Sequence, residues 1–243
     1  MNILVVNDDG FDSEGISLLA IKLKKFGNVT IVGPNSHRSA SSHAIKLREN
    51  ISFKKENSIE EINRYSVSGY PVDCVRLATD LLGIDFDLCF SGINNGLNLG
   101  TDIIYSGTVA CAREAMIEGI PSIAISCDVN SFEIVKNEID SVLEYVFNNK
   151  LFSKEYTLNI NFPVKDYTKS KGIKFAHQGI KRFKSSFKKI SDDIYRENGS
   201  DIKYDTDVNS DVFLADKGYI TFVPISINQT NYSILKIFKD SIE

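Results

Sequence analysis

No stretch of this 243-residue chain approaches the run of about twenty apolar residues that a membrane-spanning helix needs. Met1 leads straight into a strand-like segment, with no basic flank and no small-residue cleavage site, so no secretory leader is expected. Positive charge is not in excess: 28 Lys and Arg face 32 Asp and Glu, a net charge of −4. That balance excludes the basic footprint of a protein that binds nucleic acid polymers. The four cysteines (Cys74, Cys89, Cys111, Cys127) lie far apart inside apolar stretches, with no ligand-like spacing. Reduced core thiols and a cytoplasmic setting are therefore expected. A glycine-lysine phosphate loop and a dinucleotide fingerprint are both missing, which argues against an NTPase or a dehydrogenase. Internal repeats and low-complexity tracts are also missing. What remains is 42% hydrophobic and 25% charged residues in a chain long enough for one large core, or a core with an attached arm.

The rest of the chain is organised around Asn7-Asp8-Asp9-Gly10. Ile3 to Val6 is a short β-branched run that reads as a strand buried on both faces, of the parallel-sheet kind. Two carboxylates at its carboxyl end are costly unless something positive compensates them, and that edge is where open α/β sheets bind ligands. A hard divalent cation is the simplest compensation. The plainer alternative is an Asx turn, in which Asp and Gly only steer the chain.

A helical stripe follows (Ile16, Leu19, Ala20, Leu23), then a second buried strand from Val29 to Val32. This βαβ unit implies parallel pairing and a right-handed crossover. The loop from Asn35 to His43 leaves the same sheet edge. There Ser39 offers an oxygen to a cation, while Arg38 and His43 are candidate phosphate contacts. His37 and His43, six apart on irregular chain, carry no metal signature. Residues 45–68 predict a hairpin insertion with its tip near Glu56 to Glu61, and a helix follows from Pro71 to Gly83.

Leu88 to Phe90 predicts another strand, delivering a loop from Ser91 to Gly100 with three glycines and three asparagines. Asn94, Asn95 and Asn98 supply neutral oxygens and amide donors suited to a cation and phosphate together. Ser106 is a good N-cap for the helix that follows, and Gly107 and Thr108 leave its first amides open as an anion site. A strand at Ser122 to Ser126 precedes a helix with Asn130 as cap and Glu133 at the capping-box position. Beyond Lys150, strands are expected at Tyr156 to Phe162, Ile173 to Ala176, Val212 to Leu214 and Tyr219 to Val223, with a short helix at Ile234 to Phe238. Residues 181–212 are poorly periodic. The organisation expected is a core over 1–150, with 151–243 completing the same domain and the subunit interface.

Oxygen-only donors imply magnesium, manganese or calcium rather than zinc. Such a cation beside an anion-binding helix end is the arrangement phosphate ester hydrolysis needs. At this point the sequence resembles the SurE family of stationary-phase survival proteins. The resemblance rests on Asn7-Asp8-Asp9-Gly10, Pro34 through Ser39, Gly69 through Cys74, Ser91-Gly92-Ile93-Asn94 with Gly96 and Asn98, and Tyr105-Ser106-Gly107-Thr108. It resumes at Asp211 and at Gly218 to Thr221, with Pro224.

The resemblance implies an α/β, Rossmann-like three-layer sandwich with a mostly parallel sheet and an extended C-terminal β arm used in oligomerisation. It implies a metal-dependent nucleotidase acting on nucleoside 5′- and 3′-monophosphates, in some members also on short polyphosphate. One divalent cation per subunit would be held by Asp8, Asp9, Ser39 and Asn94, the last because the family's ligand directly follows Ser-Gly-Ile. A homodimer or homotetramer with exchanged C-terminal segments is implied as well. Residues 181–210 depart from the family's aromatic- and glycine-rich pattern, and Gly33 stands where alanine is usual, an exchange expected to be harmless. Two mechanisms are open: a metal-activated water with Asp8, Asp9 and Asn94 as catalytic groups, or a covalent aspartyl-phosphate. A non-catalytic nucleotide sensor is the alternative function.

Overall fold

The computed structural model describes residues 1–203 and 206–242. Alternation along the first strand builds two cores at once. In β1 (Asn2–Val6), Ile3 and Val5 enter one apolar cluster while Leu4 and Val6 enter another. The first cluster is covered by α1 (Glu14–Leu23) and α4 (Phe132–Asn148), the second by α2 (Pro71–Leu81) and α3 (Gly107–Ile117). The layers are therefore helix, sheet, helix, as expected for strands that read apolar on both sides.

From edge to edge the sheet runs β3 (Phe53–Ile59), β4 (Ile62–Val67), β2 (Asn28–Pro34), β1, β5 (Leu88–Asn95), β6 (Ser122–Cys127), β7 (Thr157–Asn161), β13 (Ile220–Ile225) and β8 (Ile173–Phe175). From β4 to β7 all pairs are parallel; β3 on β4 and β13 on β7 are antiparallel. The chain leaves β1 toward β2 on one side and returns to β5 on the other. The crevice between the carboxyl ends of β1 and β5 is thus the point where strand order reverses, the place for a ligand in such sheets.

Several expectations are revised. The hairpin expected over 45–68 is formed by β3 and β4, and because β4 also pairs in parallel with β2 it extends the main sheet. Its two-residue turn is Glu60-Glu61, both at positive φ (46° and 67°), a conformation Asn-Gly usually signals and glutamates do not. The strand expected to stop at Phe90 continues to Asn95 with a register shift between Ser91 and Asn94, so part of the glycine-asparagine loop is strand. Val212 to Leu214 is not a strand but lies in α5 (Asp211–Asp216), where Ser210 Oγ accepts the Phe213 N–H at 3.2 Å. Asn130 does not cap α4. The helix starts at Phe132 behind Ser131, while Asn130, at φ 59°, donates its backbone N–H to Asn95 Oδ1 at 2.8 Å. Residues 181–203 hold β9 (Arg182–Lys184), β10 (Phe187–Ser191), β11 (Ile194–Glu197) and β12 (Ser200–Lys203), nested as two antiparallel pairs. The final helix, α6, is Tyr232–Ile242.

Gly33 is not a neutral position in this backbone. A Cβ there would lie 2.7 Å from Phe11 Cα and 2.8 Å from Phe11 N, on the turn that leaves the site. Backbone cannot swing aside as a side-chain tip can. Gly33→Ala should therefore cost about 1–3 kcal/mol in urea unfolding; an unchanged midpoint would show that the Phe11 turn yields freely.

Candidate active site

The turn after β1 is braced by Asn7, which is fully buried. Its amide nitrogen donates to the Gly10 carbonyl at 2.9 Å and to Ser13 Oγ at 2.7 Å, and its Oδ1 accepts the Gly10 N–H at 3.3 Å. Asn7 therefore does the steering, and both following carboxylates are released for other work.

Asp8 is 3% exposed. The Thr108 hydroxyl donates a short hydrogen bond to its Oδ1. Burial pushes the Asp8 carboxyl up to about 6, the neighbouring Asp9 charge adds to the rise, and the Thr108 bond opposes it. Asp9 is held from two directions. Its Oδ2 accepts the Asn95 N–H at 3.2 Å, and its Oδ1 lies 3.0 Å from His37 Nε2.

The loop from 35 to 43 is pinned across the crevice. Arg38 N–H donates to the Asp8 carbonyl at 2.8 Å, Ser42 N–H to the Tyr105 carbonyl at 2.9 Å, and Ser42 Oγ to the Ile104 carbonyl at 2.8 Å. Ala40 and Ser42 are left-handed (φ 54° and 52°), so this path persists only because the surroundings over-determine it. Ser39, at the rim of the cleft, has its Oγ 3.0 Å from His37 Nε2. On the far wall the Asn94 amide nitrogen is tied to the Gly96 carbonyl at 2.7 Å, leaving its Oδ1 as the acceptor end.

Asp8, Ser39, Asn94, Asn98, Tyr105 and Ser106 line one cleft of about 260 Å³, while the Asp9 side chain stands outside its wall. Its other boundary is the start of α3, where Ser106 Oγ accepts the Val109 N–H at 3.0 Å. A Cβ on Gly107 would sit 2.8 Å from Asp8 Cβ and 2.9 Å from both Asp8 Oδ2 and Ser41 Oγ, so only glycine lets the helix end approach this closely. A larger groove of about 720 Å³ lies at the opposite, amino-terminal edge of the sheet around Asn2, Asn28 and Asp85, without such a donor set.

Three candidates are turned elsewhere. The His43 ring meets Glu114 Oε2 at 2.8 Å on α3 rather than facing Asp8. The Arg38 guanidinium lies over the Tyr70 ring, 5.8 Å from its centroid. Asn98 reaches the cleft wall, but its amide donates to Ser126 Oγ at 2.8 Å and its carbonyl accepts from Asn159 and Asn161. These two asparagines, buried on β7, support the loop, and sequence reading missed them. So does Asp211, whose carboxylate accepts the N–H groups of Gly100, Gly179 and Val212 at 2.8–3.0 Å. A polar residue amid an apolar strand pattern was the available signal for Asn159 and Asn161.

Comparison with known proteins decides the family. The family model described as survival protein SurE matches residues 3–185. The chain belongs to the SurE family. The 5′-nucleotidase SurE of Clostridium botulinum strain Langeland is 39% identical over 97% of both chains, and that of Petrotoga mobilis is 37% identical over the full length of both. The crystal structure of SurE from Aquifex aeolicus superposes with a TM-score of 0.81 at 32% identity, covering 100% of each chain.

The SurE ligand set implied by the sequence (Asp8, Asp9, Ser39, Asn94) suits a hard cation chemically, being two carboxylates, a hydroxyl and a carboxamide. The desolvated Asp8 carboxyl and a buried Ser41 Oγ with no hydrogen-bond partner both suit a cation with its solvent shell. Among the described residues no three His, Cys, Asp or Glu side chains form a metal-holding group, so such a site must draw on the neutral oxygens.

Proposed function

We propose that this chain is a divalent-cation-dependent phosphatase that hydrolyses nucleoside 5′- and 3′-monophosphates, and short polyphosphate, to release inorganic phosphate. The observation that carries the reading is Asp8, deeply buried and pushed up to about 6, directly against the Gly107 end of α3. A carboxylate placed there opposes an anion unless a cation stands between them, and a cation-phosphate pair resolves both demands. The curated relatives named 5′-nucleotidase SurE support the substrate class.

Asp8, Asp9, Ser39 and Asn94 would hold the cation, which when bound supplies charge withdrawal from a phosphoryl oxygen and a more acidic bound water. The free N–H groups at the start of α3 receive phosphoryl oxygens, with the dipole's positive end behind them. Thr108 fixes the Asp8 carboxylate in one orientation through its hydroxyl. Asp9 accepts a proton from the attacking water, and Asn94 presents a neutral oxygen without adding negative charge near the ester.

Large apolar side chains are exposed on the arm (Phe187, Ile194, Tyr195) and on α6 (Tyr232, Ile237, Phe238). Uncovered surface of this kind supports a homodimer or homotetramer built by C-terminal exchange. Four buried free cysteines, and no described helix long and apolar enough to cross a membrane, accord with a cytoplasmic setting.

The deciding experiment is phosphate release from AMP, GMP and a 3′-monophosphate with manganese or magnesium, then with EDTA. Release should need the metal and fall by about 10³-fold in Asp9→Asn. Tight nucleotide binding with no release would make the protein a sensor.

A further inference from the structure

We propose that the ribbon rising beside the cleft holds a chain of phosphates along one face, giving long inorganic polyphosphate a binding surface separate from the cation. Residues 167–191 contain eight lysines and arginines and no aspartate or glutamate, in a chain of net charge −4. Folding then sorts these charges. The pairs β9–β12 and β10–β11 share one register: Lys184 stands opposite Ser200 and Phe187 opposite Glu197. Between them the Asn198 N–H donates to the Ser186 carbonyl at 2.8 Å, so the two pairs form one continuous ribbon. Alternation along it assigns the faces. Arg182, Lys184, Lys188 and Arg196 share one face, and Phe183, Phe187 and Tyr195 share the other.

None of those four cations has an ion-pair partner among the described residues. Lys188 and Arg196 stand directly opposite each other, a like-charge pair that destabilises a ribbon unless an anion lies across it. From Arg182 to Lys188 the track runs about 20 Å, far longer than one phosphate. An extended polyanion meets all four charges at once. Single-stranded nucleic acid is the poorer match, because its bases need aromatic platforms beside the phosphate track, and here the rings occupy the opposite face. The root of the ribbon is fixed at the cleft: Lys181 Nζ lies 2.8 Å from Asp102 Oδ2, and Asp102 lines the cleft wall. Cleavage of the chain's end there rests on the phosphatase reading above; binding along the ribbon does not.

The test titrates the full chain with long-chain polyphosphate in EDTA, so that binding is read without turnover. Affinity should fall by about 10-fold or more, with a shallower salt dependence, when Lys184→Gln, Lys188→Gln and Arg196→Gln are combined. Lys189→Gln removes a charge from the aromatic face and should stay within about twofold of wild type. With manganese present, the triple variant should raise KM for polyphosphate by a similar factor and leave AMP turnover within about twofold. Unchanged polyphosphate affinity in the triple variant would overturn the proposal, whatever the AMP result. So would equal losses in Lys189→Gln, or equally tight binding of a single-stranded oligonucleotide of matching charge. Ribbon-dependent polyphosphate binding in a protein that releases no phosphate from AMP would support this surface and overturn the phosphatase reading instead.

Discussion

Replacing Asp8 with asparagine is expected to abolish phosphate release while making the metal-free protein harder to unfold. The two effects share one cause. Asp8 holds its proton up to about pH 6 in the folded chain, against 3.8 for a carboxyl in water. Between those values the unfolded state releases the proton first, so folding stability falls as pH rises from about 4 to about 6. The rise corresponds to about 3 kcal/mol, borne in full at neutral pH. Asparagine carries no such charge and can still accept from Thr108, so the apo melting temperature at pH 7.5 should rise by about 5 °C. Below pH 4 the variant and the wild type should converge.

Catalysis should move the other way, with kcat/KM falling by about 10³-fold or more, because a neutral amide is a poor cation ligand. In the wild type the cation competes with the Asp8 proton. Manganese should therefore raise the melting temperature at pH 7.5 and lose that effect below about pH 6. A less stable apo variant, or metal stabilisation that ignores pH, would remove Asp8 from the centre of the site.

Gly107→Ala should cost about 1–3 kcal/mol in stability and be severe in activity. Alanine is the better helix former, so propensity alone predicts a gain of up to about 1 kcal/mol. The new methyl, however, would meet Asp8 Cβ at 2.8 Å, and relief requires Asp8 to move. A displacement of about 1 Å in such a constellation costs about 100-fold. Steady-state kinetics beside a thermal melt checks this: kcat/KM within twofold of wild type would mean that the helix end tolerates a wider spacing.

Much of this arrangement was legible in the residues. The apolar run Ile3 to Val6 ending in two carboxylates specified a doubly covered strand with a problem at its tip, and a cleft lined by Asp8 opens there. Ser106-Gly107-Thr108 specified an open helix end. Long-range pairing was less legible. Glu60-Glu61 carries none of the usual turn chemistry, so the register that joins the hairpin to β2 left no local mark. The Val212 to Leu214 alternation was too short to separate strand from helix, and the Ser210 cap settles it. His37 was weighed against His43, six positions away, when its partner in space is Ser39, two positions away.

The four sulfurs give the molecule a built-in clock. Each is buried between sheet and helices, and burial pushes every thiol up, so none presents a reactive thiolate at the protein surface. An alkylating reagent gains access only when the sandwich parts, and at reagent concentrations where labelling outpaces reclosing its rate counts those openings. Labelling kinetics can therefore rank the lifetimes of the closed form across all these variants, with no dye or engineered probe attached.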